Sequence, residues 1–200
     1  KTKMVESTYV ERLDGKMHEY MIYLPLYDGV QDEVFVVVDS AATITPGRMD
    51  LIDKNKRIVA YGTSILQGGC ASRTGMASSN IIGRELNAEV MNLAFSGEGK
   101  MDNYMAYAMA RIPDVDVYLL DPVPNCTEMM CDTLTYDFVK ILRTLRPEVP
   151  IVMLEGPMYP YSRYDSMFKN YLPDKNAAFR KNYERLKAEN PKNLYYVESV

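Results

Sequence analysis

The pattern of apolar and polar positions divides the 200-residue chain into two regions. From residue 57 onward, short apolar runs alternate with longer stretches in which apolar residues recur every three or four positions. The short runs are typical of buried parallel strands, and the longer stretches are typical of helices that pack one face on a core. The predicted strands cover residues 58–62, 90–95, 117–121, 151–156 and 194–199.

Four helices are predicted between these strands. The clearest lies within residues 131–147 and ends at Pro147, and a weaker one covers residues 101–111. Because alternating strands and helices imply right-handed crossovers, we expect a flavodoxin-like three-layer α/β/α fold with a five-stranded parallel sheet. The predicted apolar faces are Leu134, Phe138, Ile141, Leu142 and Leu145 in the clearest helix, Phe179, Tyr183 and Leu186 in another, and Ile81, Ile82 and Leu86 in a third.

Residues 1–50 are instead enriched in the β-branched and aromatic residues of strands. Strands are predicted over residues 19–27 and 33–40, with a turn over residues 27–30 between them. Two or three such strands fit a β-hairpin or a piece of a sandwich, and they are too few to form a stable sheet domain alone. We therefore expect a short β-rich segment in front of the α/β domain.

Composition and charge argue against several kinds of partner. The chain is 47% hydrophobic and 25% charged with a net charge of -4, and it has no basic patch that would favour nucleic acid. No apolar run approaches the roughly 20 residues of a membrane span. The three cysteines fit neither a disulfide framework nor a zinc site, and Cys126 and Cys131 could pair only if the fold brings them together.

The loops after the first three predicted strands carry groups suited to ester hydrolysis. Ligand sites in open parallel sheets lie beyond the carboxyl ends of the strands, so Ser64, Gly97 and Asn125 should meet in one crevice. Ser64 has the position of a nucleophile. The N–H groups of Ser64 and Gly97 and the side-chain amide of Asn125 could form an oxyanion hole, in which each donor contributes roughly 3–4 kcal/mol.

Taken alone, each of these three residues has a simpler explanation as a helix cap or a turn residue, and their joint occurrence favours the catalytic interpretation.

Two competing motifs do not match the sequence. The elbow G-x-S-x-G has Leu66 at its fifth position, and a phosphate loop would need glycine at Ala94 and a hydroxyl residue at Met101. Nucleotide binding is therefore not predicted.

Residues 57–200 resemble the SGNH (GDSL-type) hydrolase superfamily. The first block of that family appears over residues 62–64, with Thr63 in place of the usual Asp, and the second and third blocks resemble residues 92–97 and 121–125. The resemblance implies that Ser64 is the catalytic nucleophile, that Gly97 is the oxyanion glycine and that Asn125 is the oxyanion asparagine.

The longer run over residues 61–80 is similar to a branch common in gut Bacteroidetes, in which a small β-rich domain precedes the hydrolase. This resemblance implies that residues 1–50 are the tail of a sandwich-like N-terminal domain and that residues 57–200 are the hydrolase domain. It also implies an esterase or acylhydrolase for acyl or acetyl esters, with carbohydrate esters among the substrates and no metal or organic cofactor. A periplasmic or cell-surface location is expected on the same ground.

One departure from the family concerns the catalytic base. The last family block carries the catalytic Asp and His on a loop after the fifth strand, whereas the sequence given ends at Val200, and its one histidine is His18. We expect His18 to be an ordinary strand residue and the sequence to be a fragment cut at both ends. Because loss of the base costs on the order of a millionfold in turnover, this chain alone should be nearly inactive.

The absent base also supports an alternative from another class, a non-catalytic carbohydrate-binding or interaction protein on a hydrolase scaffold. The aromatic side chains within residues 158–168 could line a sugar or acyl site, although a packed tyrosine-rich loop is the simpler interpretation. The expected partner is a small-molecule or carbohydrate ester under the first hypothesis and a glycan under the second. The oligomeric state stays open.

Overall fold

Five parallel strands form one sheet in the order β2-β1-β3-β4-β5, as expected for the predicted three-layer fold. The computed structural model describes residues 7–30, 33–47, 53, 55–166 and 168–199. All five predicted strands are present, each within two residues of its expected bounds. They are β1 (Arg57–Gly62), β2 (Glu89–Ala94), β3 (Val117–Asp121), β4 (Ile151–Leu154) and β5 (Leu194–Val197).

Five α-helices and three short 3₁₀ turns connect the strands among the described residues. The helices are α1 (Ser64–Gln67), α2 (Ser78–Leu86), α3 (Asn103–Ala110), α4 (Glu128–Leu145) and α5 (Tyr171–Glu189). The 3₁₀ turns cover Thr74–Met76, Val123–Asn125 and Pro160–Arg163. The long helix α4 begins where the Thr127 hydroxyl accepts a hydrogen bond from the Met130 N–H at 3.1 Å, which satisfies one of the free donors of its first turn.

Alternate residues of β1 point to opposite faces of the sheet and divide the core in two. Val59 and Tyr61 join a large buried cluster with side chains from α3, α4 and α5. On the other face Ala60 packs with Leu66 of α1 and with Ala94. The sheet is therefore covered on both faces, and the short helix α1 sits directly over the end of β1.

Two of the predicted helix faces are only partly correct. Phe138 and Leu142 of α4 are fully buried, but Leu145 is 48% exposed because it lies in the last turn, where the helix leaves the core. Leu86 is 57% exposed for the same reason at the end of α2, whose buried positions are instead Ser79 and Gly83. The predicted face of α5 is confirmed, with Phe179 and Leu186 buried and Tyr183 packed beside them.

The strands predicted over residues 19–27 and 33–40 are not formed in the structure. Residues 7–30 and 33–47 contain no helix or strand, and most of their side chains are exposed. A strand needs a hydrogen-bonding neighbour, and a lone hairpin is marginal in water, so the residue preferences of this segment are insufficient on their own. Leu26 and Tyr27 of this segment instead contact the α/β domain. The assignment of residues 1–50 to a β-rich domain stays a prediction.

None of the helices in the described part of the chain combines the length and the apolar character needed to cross a membrane.

Candidate active site

The candidate nucleophile lies at the end of a buried strand. β1 ends at Gly62, the next residue Thr63 is fully buried, and its hydroxyl accepts a hydrogen bond from the Ile65 N–H at 3.4 Å. Ser64 is therefore the first residue of α1, and it is partly exposed. Among the described residues, the Ser64 N–H has no hydrogen-bond acceptor, as expected for the first turn of a helix. This N–H is available to a substrate oxygen.

The loop after β2 presents a second free donor. Gly97 has a φ of +74°, which favours glycine, and a Cβ there would meet nothing within 4 Å. Within the described residues no group accepts the Gly97 N–H. The loop is fixed just before Gly97, because the Phe95 N–H donates to the Gly62 carbonyl at 3.0 Å and the Ser96 N–H donates to Gln67 Oε1 at 2.8 Å. Just after Gly97, the Glu98 N–H donates to the Phe95 carbonyl at 3.1 Å.

Asn125 joins the same site from the 3₁₀ turn after β3. Its side-chain amide donates to the Phe95 carbonyl at 3.4 Å and to the Glu98 carbonyl through a short hydrogen bond. The amide therefore supports the loop that carries Gly97. Strand register accounts for the meeting of the three segments, because Gly62 is paired with Ala94 of β2 and with Asp121 of β3.

Asp121 is a site residue that sequence reasoning did not single out. It ends β3 beside Gly62, where a Cβ added at Gly62 would lie 3.1 Å from the Asp121 Cβ. Burial raises the pKa of Asp121 to about 7. Its carboxylate has no hydrogen-bond or ion-pair partner among the residues that the structure describes. Its position at the end of a predicted strand was a usable signal for a site residue.

Replacement of Asp121 by Asn should remove a pH-dependent loss of stability. The folded-state pKa of about 7 lies above the ordinary 3.8, so only the unfolded state ionises freely between these values. The unfolding free energy of the natural protein should therefore fall from pH 4 to pH 7, relative to that of Asp121→Asn, by about 2–4 kcal/mol. Urea unfolding at pH 4.5 and pH 8 measures this difference, and parallel pH profiles for the two proteins would contradict it.

Glu155 is a second residue that sequence reasoning missed, although it directly follows β4. Its carboxylate accepts hydrogen bonds from the Ser199 N–H at 2.9 Å, the Tyr196 hydroxyl at 2.8 Å and Arg180 Nη2 at 2.6 Å. Burial alone would raise the pKa of Glu155, but these donors together hold it below its usual range. Glu155 thereby fixes the chain where it leaves β5.

His18 does not meet Ser64 in the structure. Its Nε2 lies 2.6 Å from Asp14 Oδ1, and its ring neighbour is Tyr20, so its contacts belong to the N-terminal segment. The thiols of Cys126 and Cys131 are buried and are not joined by a disulfide. No group of three or more His, Cys, Asp or Glu side chains that could hold a metal ion occurs within the described ranges.

Comparisons with known proteins bear on the whole α/β region. The family model described as GDSL-like Lipase/Acylhydrolase matches residues 55–200. A protein described as a GDSL-like lipase from Bacteroides ovatus is 33% identical, with a TM-score of 0.80 over 89% of this chain and 51% of that protein. The present chain thus spans about half the length of that relative. No curated protein matches the chain significantly.

Two further structures share the fold at low sequence identity. The salicylyl-acyltransferase SsfX3 of a tetracycline biosynthetic pathway is 18% identical, with a TM-score of 0.59 over 81% of this chain and 46% of that protein. A family two carbohydrate esterase from Clostridium thermocellum, in complex with cellohexaose, is 17% identical, with a TM-score of 0.55 over 78% of this chain and 56% of that protein. These two likenesses concern the fold alone.

Proposed function

Because the chain belongs to the GDSL-like lipase/acylhydrolase family, we propose that Ser64 is the nucleophile of an ester hydrolase. The observation that supports this most directly is that the N–H groups of Ser64 and Gly97 have no acceptor among the described residues, while Ser64 itself is partly exposed. A developing oxyanion requires free backbone donors, and these two lie beyond the carboxyl ends of neighbouring strands.

The proposed reaction has two steps. Ser64 Oγ attacks the ester carbonyl carbon, its proton passes to a base, and the alcohol leaves with a proton as the acyl-serine forms. Water then attacks the acyl-serine and releases the acid. In both steps the Ser64 and Gly97 N–H groups donate to the oxyanion. Asn125 supports the Gly97 loop and supplies a third donor when its weaker bond to the Phe95 carbonyl, at 3.4 Å, is exchanged for substrate.

The base is proposed to be a His, oriented by an Asp, that the gene encodes beyond residue 200. The Glu155 carboxylate supports this proposal, because it holds Ser199 at the carboxyl edge of the sheet on which Ser64 lies. The test is hydrolysis of p-nitrophenyl acetate by the polypeptide extended past residue 200 along its gene, compared with the same polypeptide carrying Ser64→Ala. Activity that survives the substitution contradicts the proposal.

We propose carbohydrate esters as the substrate class, on the basis of an aromatic cluster consisting of Tyr159, Tyr161, Phe168 and Tyr171. Tyr159 stacks on Tyr161 at 5.3 Å, and Phe168 meets both Tyr161 and Tyr171 edge-on at 5.5 Å. Tyr161 and Tyr171 are 51% and 44% exposed, so the cluster offers ring faces and phenolic hydroxyls to solvent. Such amphipathic rings suit the apolar faces and hydroxyls of a sugar.

The aromatic cluster lies next to the candidate site. Burial is the main cause that raises the pKa of Tyr159. The phenol groups of Tyr161 and Tyr171 and the charge of Asp121 raise it further, so these groups lie close to Tyr159. At the other end of the cluster, the Lys175 ammonium lies 3.6 Å from the centre of the Tyr171 ring and donates to the Pro124 carbonyl at 3.3 Å. Since Pro124 directly precedes Asn125, a sugar on this cluster would lie beside the oxyanion donors.

Tyr161→Ala should weaken binding of cellohexaose by the extended polypeptide about 2- to 12-fold, because stacking on one aromatic ring is worth roughly 0.5–1.5 kcal/mol. Tyr164→Ala is the matched control, since Tyr164 lies in the same segment, is 91% exposed and makes no ring contact among the described residues. Titration calorimetry gives both dissociation constants. Equal affinities for the two variants would remove the aromatic cluster as the sugar site.

A second candidate function follows from the same aromatic cluster. If the extended polypeptide binds cellohexaose but hydrolyses no ester, the protein is a carbohydrate-binding module on a hydrolase scaffold. The discovery of an Asp and a His encoded just after residue 200 would favour the hydrolase over this alternative.

A further inference from the structure

Two glycines follow the nucleophile's helix, and because they have no side chains they leave room for the N-terminal segment. Gly68 ends α1 with a φ of +108°, and a Cβ there would collide with the Leu26 side chain. A Cβ at Gly69 would lie 2.9 Å from both the Ser64 carbonyl oxygen and the Tyr27 hydroxyl. The glycine pair therefore leaves the space into which residues 26–27 fit.

Tyr27 contacts the peptide group of the nucleophile. Its hydroxyl donates a hydrogen bond to the Ser64 carbonyl at 3.1 Å. The same carbonyl accepts from the Gly69 N–H at 2.7 Å and from the Gly68 N–H at 3.2 Å. The position of Ser64 is thus fixed by its own short helix and by a side chain 37 residues earlier in the chain.

Gln67 connects three parts of the site. Its Nε2 donates to the Leu26 carbonyl at 3.1 Å, and its Oε1 accepts the Ser96 N–H at 2.8 Å. Because Ser96 directly precedes Gly97, one amide side chain ties the N-terminal segment, the nucleophile's helix and the oxyanion loop together. Both hydrogen-bonding groups of the Gln67 side chain are used, so neither a hydrophobic nor a charged replacement reproduces them.

We infer that residues 26–27 act as a strap that holds Ser64 in register with Gly97, with Tyr27 and Gln67 as positioning residues. The inference rests on the proposed function. Helix α1 has only four residues, too few to be rigid by itself, so its direction depends on contacts from outside. A displacement of about 1 Å at a reacting group can cost 100-fold in rate, so such support affects turnover more than substrate binding.

The test compares Tyr27→Phe and Gln67→Glu in the extended polypeptide with p-nitrophenyl acetate as substrate. The first variant removes the donor to the Ser64 carbonyl, and the second keeps the acceptor for the Ser96 N–H but places an oxygen against the Leu26 carbonyl. Each should lower kcat about 3- to 20-fold with KM unchanged within about twofold, because one supporting hydrogen bond is lost. The double variant should lose less than the product of the two effects, because both substitutions act through one strap.

Tyr20→Phe is the matched control, because Tyr20 lies in the same segment, is 56% exposed and should keep full turnover. Active-site titration from the p-nitrophenol burst corrects kcat for misfolded protein. If kcat per titrated active site is unchanged in Tyr27→Phe and Gln67→Glu, the strap is overturned, even where the uncorrected activity falls. Failure of the proposed function has a different signature, namely full activity of Ser64→Ala, and it would also overturn the strap.

Discussion

Ser64→Ala in the extended polypeptide is expected to lower kcat for p-nitrophenyl acetate by about 10⁶-fold. Removal of the nucleophile leaves only the oxyanion donors and substrate binding, and in serine hydrolases these alone retain a small fraction of the natural rate. The substitution should barely affect folding, because the Ser64 side chain makes no hydrogen bond among the described residues. Initial rates and thermal unfolding measure the two effects separately.

Ser72→Ala is the control for this experiment. Ser72 lies in the loop after α1, is exposed and should tolerate alanine with full turnover. A parallel loss of activity in both variants would point to a general disturbance of this loop. Retained activity in Ser64→Ala, at more than about 1% of the natural rate, would show that another group carries the reaction.

Gly99→Ala should destabilise the fold by about 2–5 kcal/mol, the largest effect on stability that we expect from any single methyl group in this site. Gly99 has a φ of +76°, and a Cβ there would collide with the carbonyl oxygen of Gly62, which is backbone and cannot turn away. The left-handed conformation costs an alanine roughly 1–2 kcal/mol, and forced overlap adds roughly 1–3 kcal/mol. Urea unfolding measures the total.

Gly97→Ala provides the comparison that isolates the collision. Its φ of +74° nearly equals that of Gly99, but a Cβ there meets nothing within 4 Å. We therefore expect a loss of only about 1–2 kcal/mol, from backbone conformation alone. Equal losses in the two variants would mean that the loop after β2 does not pack on the end of β1 in this way.

The sheet and the three segments of the site could be predicted from the sequence, because both depend on local patterns. An apolar run such as residues 117–121 indicates a buried strand wherever it occurs, and in a parallel sheet the carboxyl ends of neighbouring strands must lie together. The meeting of Ser64, Gly97 and Asn125 follows from that rule. Their roles in catalysis remain proposals.

The contacts that support the site could not be predicted in this way, since they join residues far apart in the chain. The Leu26 carbonyl and the Gln67 amide are 41 residues apart, and nothing in either local sequence specifies the other. The engagement of the Asn125 amide by the Phe95 and Glu98 carbonyls depends likewise on tertiary geometry. The prediction of strands over residues 19–27 and 33–40 was wrong, because a strand requires a hydrogen-bonding neighbour strand and residue preferences do not supply one.

The most direct measurement of the central claim is the site of covalent labelling by a fluorophosphonate, which reacts with activated serines. The extended polypeptide is labelled until ester hydrolysis stops, digested with trypsin and analysed by mass spectrometry. The account predicts one adduct per molecule, on Ser64 within the tryptic peptide of residues 58–73. An inhibited enzyme whose adduct lies on any other residue, with that peptide unmodified, would contradict it.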